Sequence, residues 1–280
     1  YGYGEKVTVF TAGGPLGSKV KLFTALSQGE SGSPLMYWDG FELNNLVDTG
    51  DRGGSVHWQD ADDDGEKEPD KVDKLTVKPG TIAHAQQQIK RANTTMLLDL
   101  NPITLKLTHI MASGNADSPG TPIRNILNTQ RLGESDYQQN MLSLKATHVL
   151  SANTIYDVTL SYLKNDYESY DPFFKDNFML YNDSTAVSNM GQAKNLDFAS
   201  FSRAGSAPRD YDFNGFPFTR PGATMTGYGK QSDGYKGVSG SITNQGKVHQ
   251  VKAGFDFQSW QTRRYSIAGL GSIRNQINLS

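Results

Sequence analysis

The residues best suited to chemistry in this chain are acidic. Asp60-Ala61-Asp62-Asp63-Asp64-Gly65 places carboxylates at the first, third and fifth positions of a run that ends in glycine. Alternate carboxylates on a tight turn converge on one hard cation, and such oxygen ligands suit calcium. A twelve-residue EF-hand loop needs glutamate at its last position. That position here is Lys71, so the motif is not met. A shorter loop closed by Glu68 leaves Asp60, Asp62, Asp64 and Glu68 as the candidate calcium ligands. The alternative is a solvated acidic stretch from Gln59 to Asp73, moderated by lysines. Calorimetric titration separates the two: a loop that binds releases heat at millimolar calcium, and a flat trace leaves only the solvated stretch.

Other chemistries find no support. His57, His84, His109, His148 and His249 lack zinc-ligand spacing; the last three are expected near strand ends, at a membrane interface or on the periplasmic side. Gly237-Val238-Ser239-Gly240 is not a nucleophile elbow, and no helix follows it. Gly2 and Gly4 have no strand-turn-helix context for holding phosphate. Carboxylates are plentiful, but nothing in the sequence pairs two across a cleft. With no cysteine, thiolate sites, disulfides and cysteine nucleophiles are excluded. No catalytic residue is assigned, and the chain is not expected to be an enzyme.

The elements that would position any site are strands. Only 36% of the 280 residues are hydrophobic and mean hydropathy is −0.55, yet aromatic residues reach 10%. A barrel with one face toward lipid and the other toward water explains that mixture. Acidic and basic residues are dispersed and the net charge is −2, which argues against a nucleic-acid partner. No apolar run is long enough for a membrane-spanning helix.

Period-two alternation recurs along the chain. Leu142, Leu144 and Ala146 alternate with Ser143, Lys145 and Thr147. After a turn at Ser151-Ala152-Asn153, Tyr156, Val158, Leu160 and Tyr162 alternate with Asp157, Thr159 and Ser161. A similar hairpin turns at Asn101-Pro102, between Thr94–Leu100 and Ile103–Thr108. A third runs from Val238 through a turn near Gln245-Gly246-Lys247 to Phe257. A fourth turns at Gly13-Gly14-Pro15, between Val7/Val9 and Val20–Leu26. About eight strands result, joined within hairpins by short turns and between hairpins by loops at 29–91, 112–139 and 165–236. Short turns on one side and long loops on the other suit an outer-membrane barrel. A short helix is expected over Ile123–Leu132, and Thr81–Ala92 is ambiguous between helix and strand.

Two residue sets follow. Asp99, Lys106, Lys145, Asp157, Lys252, Asp256 and Gln258 alternate with apolar neighbours and should face a wet lumen, mostly as cross-strand pairs. Tyr162, Tyr167, Tyr170, Phe173, Phe174, Trp260 and Tyr265 sit where strands leave toward long loops, as an aromatic girdle or as loop packing. The loop rings Tyr167, Tyr170, Phe173, Phe174, Tyr211, Phe213, Phe216 and Phe218 either stack on a ligand or simply hold the loops together, and the second reading is preferred.

The wording of these strands resembles TonB-dependent outer-membrane receptors of the Bacteroidota and Ignavibacteria type. The resemblance rests on LSLKATHVLSANTIYDVTLSYLKNDYESYDP (Leu142–Pro172), VTVFTAGGPLGSKVKLFTALSQ (Val7–Gln28) and GKVHQVKAGFDFQSWQTRRYSI (Gly246–Ile267). It implies a barrel of about 22 strands with a plug domain, powered through the TonB complex. The chain starts at Tyr1 without a signal pattern and carries no recognisable plug, so residues 1–280 are expected to be part of such a barrel wall. Its expected partners are membrane lipid, the rest of its own barrel and plug, TonB through the missing part, and a small-molecule or glycan ligand. The expected function is uptake of a scarce nutrient (siderophore, vitamin, glycan or peptide) across the bacterial outer membrane. The alternatives are a passive porin-like or structural barrel, and a secreted glycan-binding β-sandwich.

Overall fold

The computed structural model describes residues 5–32, 86–117, 131–181 and 226–270. It also describes short pieces at 38–44, 58–59, 68–69, 74–79, 124–125, 210–213 and 216–219, and the single residues 183, 186, 224 and 273. The elements among them are strands: β1 (Lys6–Pro15), β2 (Val20–Gly32), β3 (Trp38–Asn44), β4 (Trp58–Gln59), β5 (Glu68–Pro69), β6 (Lys74–Pro79) and β7 (Gln86–Asp99). They continue with β8 (Ile103–Asp117), β9 (Glu134–Ser151), β10 (Thr154–Tyr170), β11 (Asp210–Phe213), β12 (Phe216–Thr219), β13 (Tyr228–Gln245) and β14 (Gln250–Ile267).

Eight of them form one antiparallel sheet in the order β1-β2-β7-β8-β9-β10-β13-β14. The six short strands make three separate two-stranded ribbons, β3 with β6, β4 with β5 and β11 with β12, inside the long connections. The sheet is open: β1 and β14 are its edges and do not pair with each other. These are the eight strands expected from the alternation, without the closure of a barrel.

The strands reach further than the alternation suggests, so the long connections shrink to 33–85, 118–133 and 171–227. Gly13, Gly14 and Pro15 belong to β1. The first hairpin turns instead at Leu16–Lys19, where Gly17 (φ 143°) takes a backbone angle that side chains disfavour. The third turn lies at Gly246–His249, closed by the Gly246 amide donating to His249 O at 2.7 Å. Gln86–Ala92 is strand, and the described residues between 123 and 132, Arg124, Asn125 and Arg131, lie in 3₁₀ turns rather than an α-helix.

Pairing register decides which residues share a face, because directly opposed residues point the same way. One row runs Leu22, Met96, Leu107, Leu144, Leu160, Val238, Phe257 across seven strands. The next toward the short turns runs Val20, Leu98, Leu105, Ala146, Val158, Gly240, Phe255. Gly240 is buried there because the Phe255 ring lies where its Cβ would be, 2.8 Å away. Leu160 is 52% exposed and Phe257 67%. Burying a side chain of this size is favourable by roughly 1.5–3 kcal/mol, so in water this face is far from its energy minimum.

The other face is mostly polar, although one row of it runs Ile110, Met141, Leu163, Tyr235 and Trp260. Asp99, Lys106, Lys145, Asp157, Lys252, Asp256 and Gln258 all lie on it. Asp157, Thr159 and Ser161 are half-buried while their neighbours Val158 and Leu160 are exposed, the reverse of a soluble sheet.

The apolar band has a slanting upper border. Its last apolar residue toward the long connections is Phe10, Leu26, Ala92 and Met111 in the first four strands of the sheet. The unbroken apolar run ends at Leu142 and Tyr162 in the next two and at Val238 and Phe257 in the last two, with Tyr170, Tyr228, Tyr265 and Ile267 further out on the same face. The border thus drops by two rows, about 14 Å, over seven strand spacings of about 4.8 Å each. Within the band Thr24 and Thr94 are directly opposed and bond each other at 3.0 Å, removing the cost of two lone hydroxyls. His109 lies in the same row, mid-strand in β8 rather than near a strand end.

Candidate functional site

Beyond the band, on the same face, two rows are polar except at Tyr265 of the edge strand, which opposes Lys230. Gln28, Lys90, Ser113, Gln138, Asp166, Ser232 and Arg263 make one. Glu30, Gln88, Asn115, Asp136, Glu168 and Lys230 make the other. An open cleft of about 600 Å³ lies here, lined by Lys90, Lys164, Lys230, Asp136, Asp166 and Glu168 among others. Lys164 pairs with Asp166 at 2.8 Å and Lys230 with Glu168 at 3.6 Å. Each carboxylate also accepts a hydroxyl: Asp136 from Tyr170 (2.8 Å), Asp166 from Ser232 (2.7 Å), Glu168 from Tyr228 (2.7 Å).

A strap from Asp171 to Tyr181 folds against the end of this face. Its anchor is a fully desolvated ion pair. Arg131 Nε donates to Asp171 Oδ2 at 2.8 Å and Nη2 approaches the same oxygen at 2.7 Å, with the residues 2% and 0% exposed. Asp171 Oδ1 accepts the backbone amides of Phe173 and Phe174, and Arg131 Nη2 also reaches Thr224 Oγ1 at 3.3 Å. The pair therefore joins three chain segments. The guanidinium lies 5.3 Å from the Phe174 ring centre, and Lys175, at φ 45°, sets its ammonium 4.3 Å over Tyr170.

Around the pair Tyr170, Tyr181, Tyr228 and Leu270 make a small core, with Phe174, Phe178, Ile267 and Ile273 against it. Burial pulls the Arg131 guanidinium below its ordinary value, and the Asp171 carboxylate opposes that shift. Burial raises the Tyr170 and Tyr228 phenols, helped by the carboxylates they donate to; Tyr181 is raised by burial and by the Asp171 charge.

Of the aromatic set, Tyr162 borders the band, Tyr170 and Tyr265 lie further out on the same face, Tyr170 and Phe174 also pack under the strap, and Tyr167 and Trp260 lie on the opposite face. On the polar face Asp157 meets Lys145 at 3.5 Å and accepts Ser241 at 2.9 Å, a cross-strand network of the expected kind. His148 and Tyr156, directly opposed near the short turns, bond at 2.8 Å edge to face.

Of the candidate calcium ligands, Asp60, Asp62 and Asp64 lie outside the described residues; the backbone of Glu68 is in β5, opposite Gln59. The loop residues Tyr211 and Phe218 are opposed in the ribbon of β11 and β12, as are Phe213 and Phe216. No local pattern announces the Arg131–Asp171 anchor. The nearest signal is Asp171-Pro172 at a strand end, where an Asp side chain commonly caps the following amides. No family model, curated protein or solved structure matches this chain.

Proposed function

We propose that this chain is a stretch of the wall of a larger outer-membrane transport barrel of the TonB-dependent type, which takes up a scarce nutrient. The observation that carries the proposal is the exposed apolar band. It crosses all eight strands, has a slanting border, and is backed by the face that carries Lys106, Lys145, Asp157 and Asp256. Strands that cross a bilayer at an angle need an apolar limit that shifts from strand to strand. The shift, about 20° from the perpendicular using ordinary strand spacings, runs in one direction across the sheet. Long connections all at one end, and two free edges ready to pair with further strands of the same barrel, agree with it. The acidic residues at 60–68 fall in one of those long connections, where a calcium ion would stiffen it.

The chain has no native cysteine, so single cysteines can be placed at will. In lipid vesicles, cysteines at positions 142, 144 and 146 should be quenched by a lipid-soluble probe. Cysteines at 143, 145 and 147 should be reached by a water-soluble one. Equal access to water on both faces would remove the membrane wall. Uptake by cells that stops when the inner-membrane proton gradient is collapsed marks energised transport; uptake that persists marks a passive channel.

A further inference from the structure

A second hollow, of about 340 Å³, lies on the face opposite the band, close to the long connections. Two rows of that face make it: Tyr167, Gln231 and Arg264 in one, Ser169, Gly229 and Ser266 in the next. From β10 only Tyr167 and Ser169 reach it, since Glu168 and Tyr170 turn to the band side. Gly227 and Gly229 leave the floor open; a Cβ on Gly229 would come within 2.9 Å of the Ser169 hydroxyl. Its charge is one-sided. No carboxylate lines it among the described residues, and Arg264 has no ion-pair partner there. The carboxylate nearest in register, Asp233, is one row away: its Oδ2 accepts the Gln231 amide and its Oδ1 is buried.

We infer that this hollow seats the carboxylate of a small organic acid whose body lies against the Tyr167 ring. The inference rests on the proposed barrel wall and names the chemistry of the nutrient that passes it. A guanidinium offers two parallel N–H groups that match a planar carboxylate. One uncompensated cation calls for a monoanion. A phosphate dianion needs a second, and Lys230, which also borders the hollow, has its ammonium 3.6 Å from Glu168 on the band side. The hydroxyls of Ser169 and Ser266 are unengaged and supply further donors. β10 and β14 stand two strand spacings apart, about 9.6 Å, room for a six-membered ring between Tyr167 and Arg264. Tyr167 is 46% exposed, so its ring is free to stack. A glycine-floored hollow of this size fits one such acid better than it fits a flat packing surface.

Benzoate is the probe, and benzamide its uncharged counterpart. The whole chain is reconstituted in phosphatidylcholine vesicles and insertion is checked by flotation. Binding is read by saturation-transfer NMR against empty vesicles, and again in detergent. Benzoate should bind about tenfold more tightly than benzamide, the scale of one charge-assisted bidentate contact. Arg264→Gln should remove that difference, and Gly229→Val should weaken both ligands by filling the floor. Arg263→Gln, on the band face, should change neither affinity. Equal binding of benzoate and benzamide overturns the carboxylate site, as does a preference that survives Arg264→Gln. Inorganic phosphate displacing benzoate at equal concentration also overturns it, since the hollow would then take any oxyanion. A chain that fails to float overturns the barrel wall and with it the nutrient role. The measurement in detergent reads the benzoate preference independently of insertion, so the two failures are told apart.

Discussion

Leu144→Arg is expected to remove about 2–4 kcal/mol of stability from the sheet folded in a lipid bilayer, the cost of a cation on the lipid side near the midplane. Leu144 is flanked by Leu107 and Leu160 in the row that apolar residues occupy from β2 to β14. Gln258→Arg, on the polar face of the edge strand, should stay within about 0.5 kcal/mol. Denaturant titration of the vesicle-bound protein reads both. The contrast is what matters. Leu144 is 38% exposed, so in a water-soluble sheet an arginine there would be tolerated or would even improve solubility. A Leu144→Arg protein as stable in vesicles as its parent would show that this face does not meet hydrocarbon.

That pair of outcomes also separates what the sequence shows from what it hides. Alternation at Leu142–Thr147 and Tyr156–Tyr162 identifies strands and their two faces, because side-chain direction on a strand has a period of two and needs no tertiary information. All seven charged or amide residues assigned to one face do share it. The slanting border is invisible from within any one strand, since it exists only once register ties Met111 to Asn140 and Lys164 to Gly234. Register in turn depends on turn position. Taking the first turn at Gly13–Pro15 instead of Leu16–Lys19 misplaces β1 against β2 and with it the row of Phe10 and Leu26. The strand ends were hidden for a related reason. Ser113–Asp117 and Glu134–Gln138 carry no large aliphatic residue on either face, so alternation stops before the backbone pairing does.

The strap depends on one ion pair that no local pattern reports, because its partners are 40 residues apart in sequence. Asp171→Ala takes from the buried Arg131 guanidinium the carboxylate it holds at 2.7 Å, and breaking a buried ion pair typically costs about 3–5 kcal/mol. It also removes the acceptor of the Phe173 and Phe174 amides. The strap is a small unit on the end of the sheet, so the loss should appear as local opening rather than global unfolding. Amide exchange over residues 173–181 should accelerate by roughly 10² to 4 × 10³, following the factor of ten per 1.4 kcal/mol. The paired amides of β9 and β10 near Leu144 and Leu160 should hold their rates. Arg131→Met combined with Asp171→Asn removes both charges and keeps an acceptor for the two amides. It should recover most of the protection, since an uncharged pair carries no desolvation penalty of that size. Exchange unaltered by Asp171→Ala would mean that Tyr170, Tyr181, Tyr228 and Leu270 hold the strap by packing alone. A double variant no better than the single would place the anchoring in the Asp171 charge itself, with Arg131 a bystander to it.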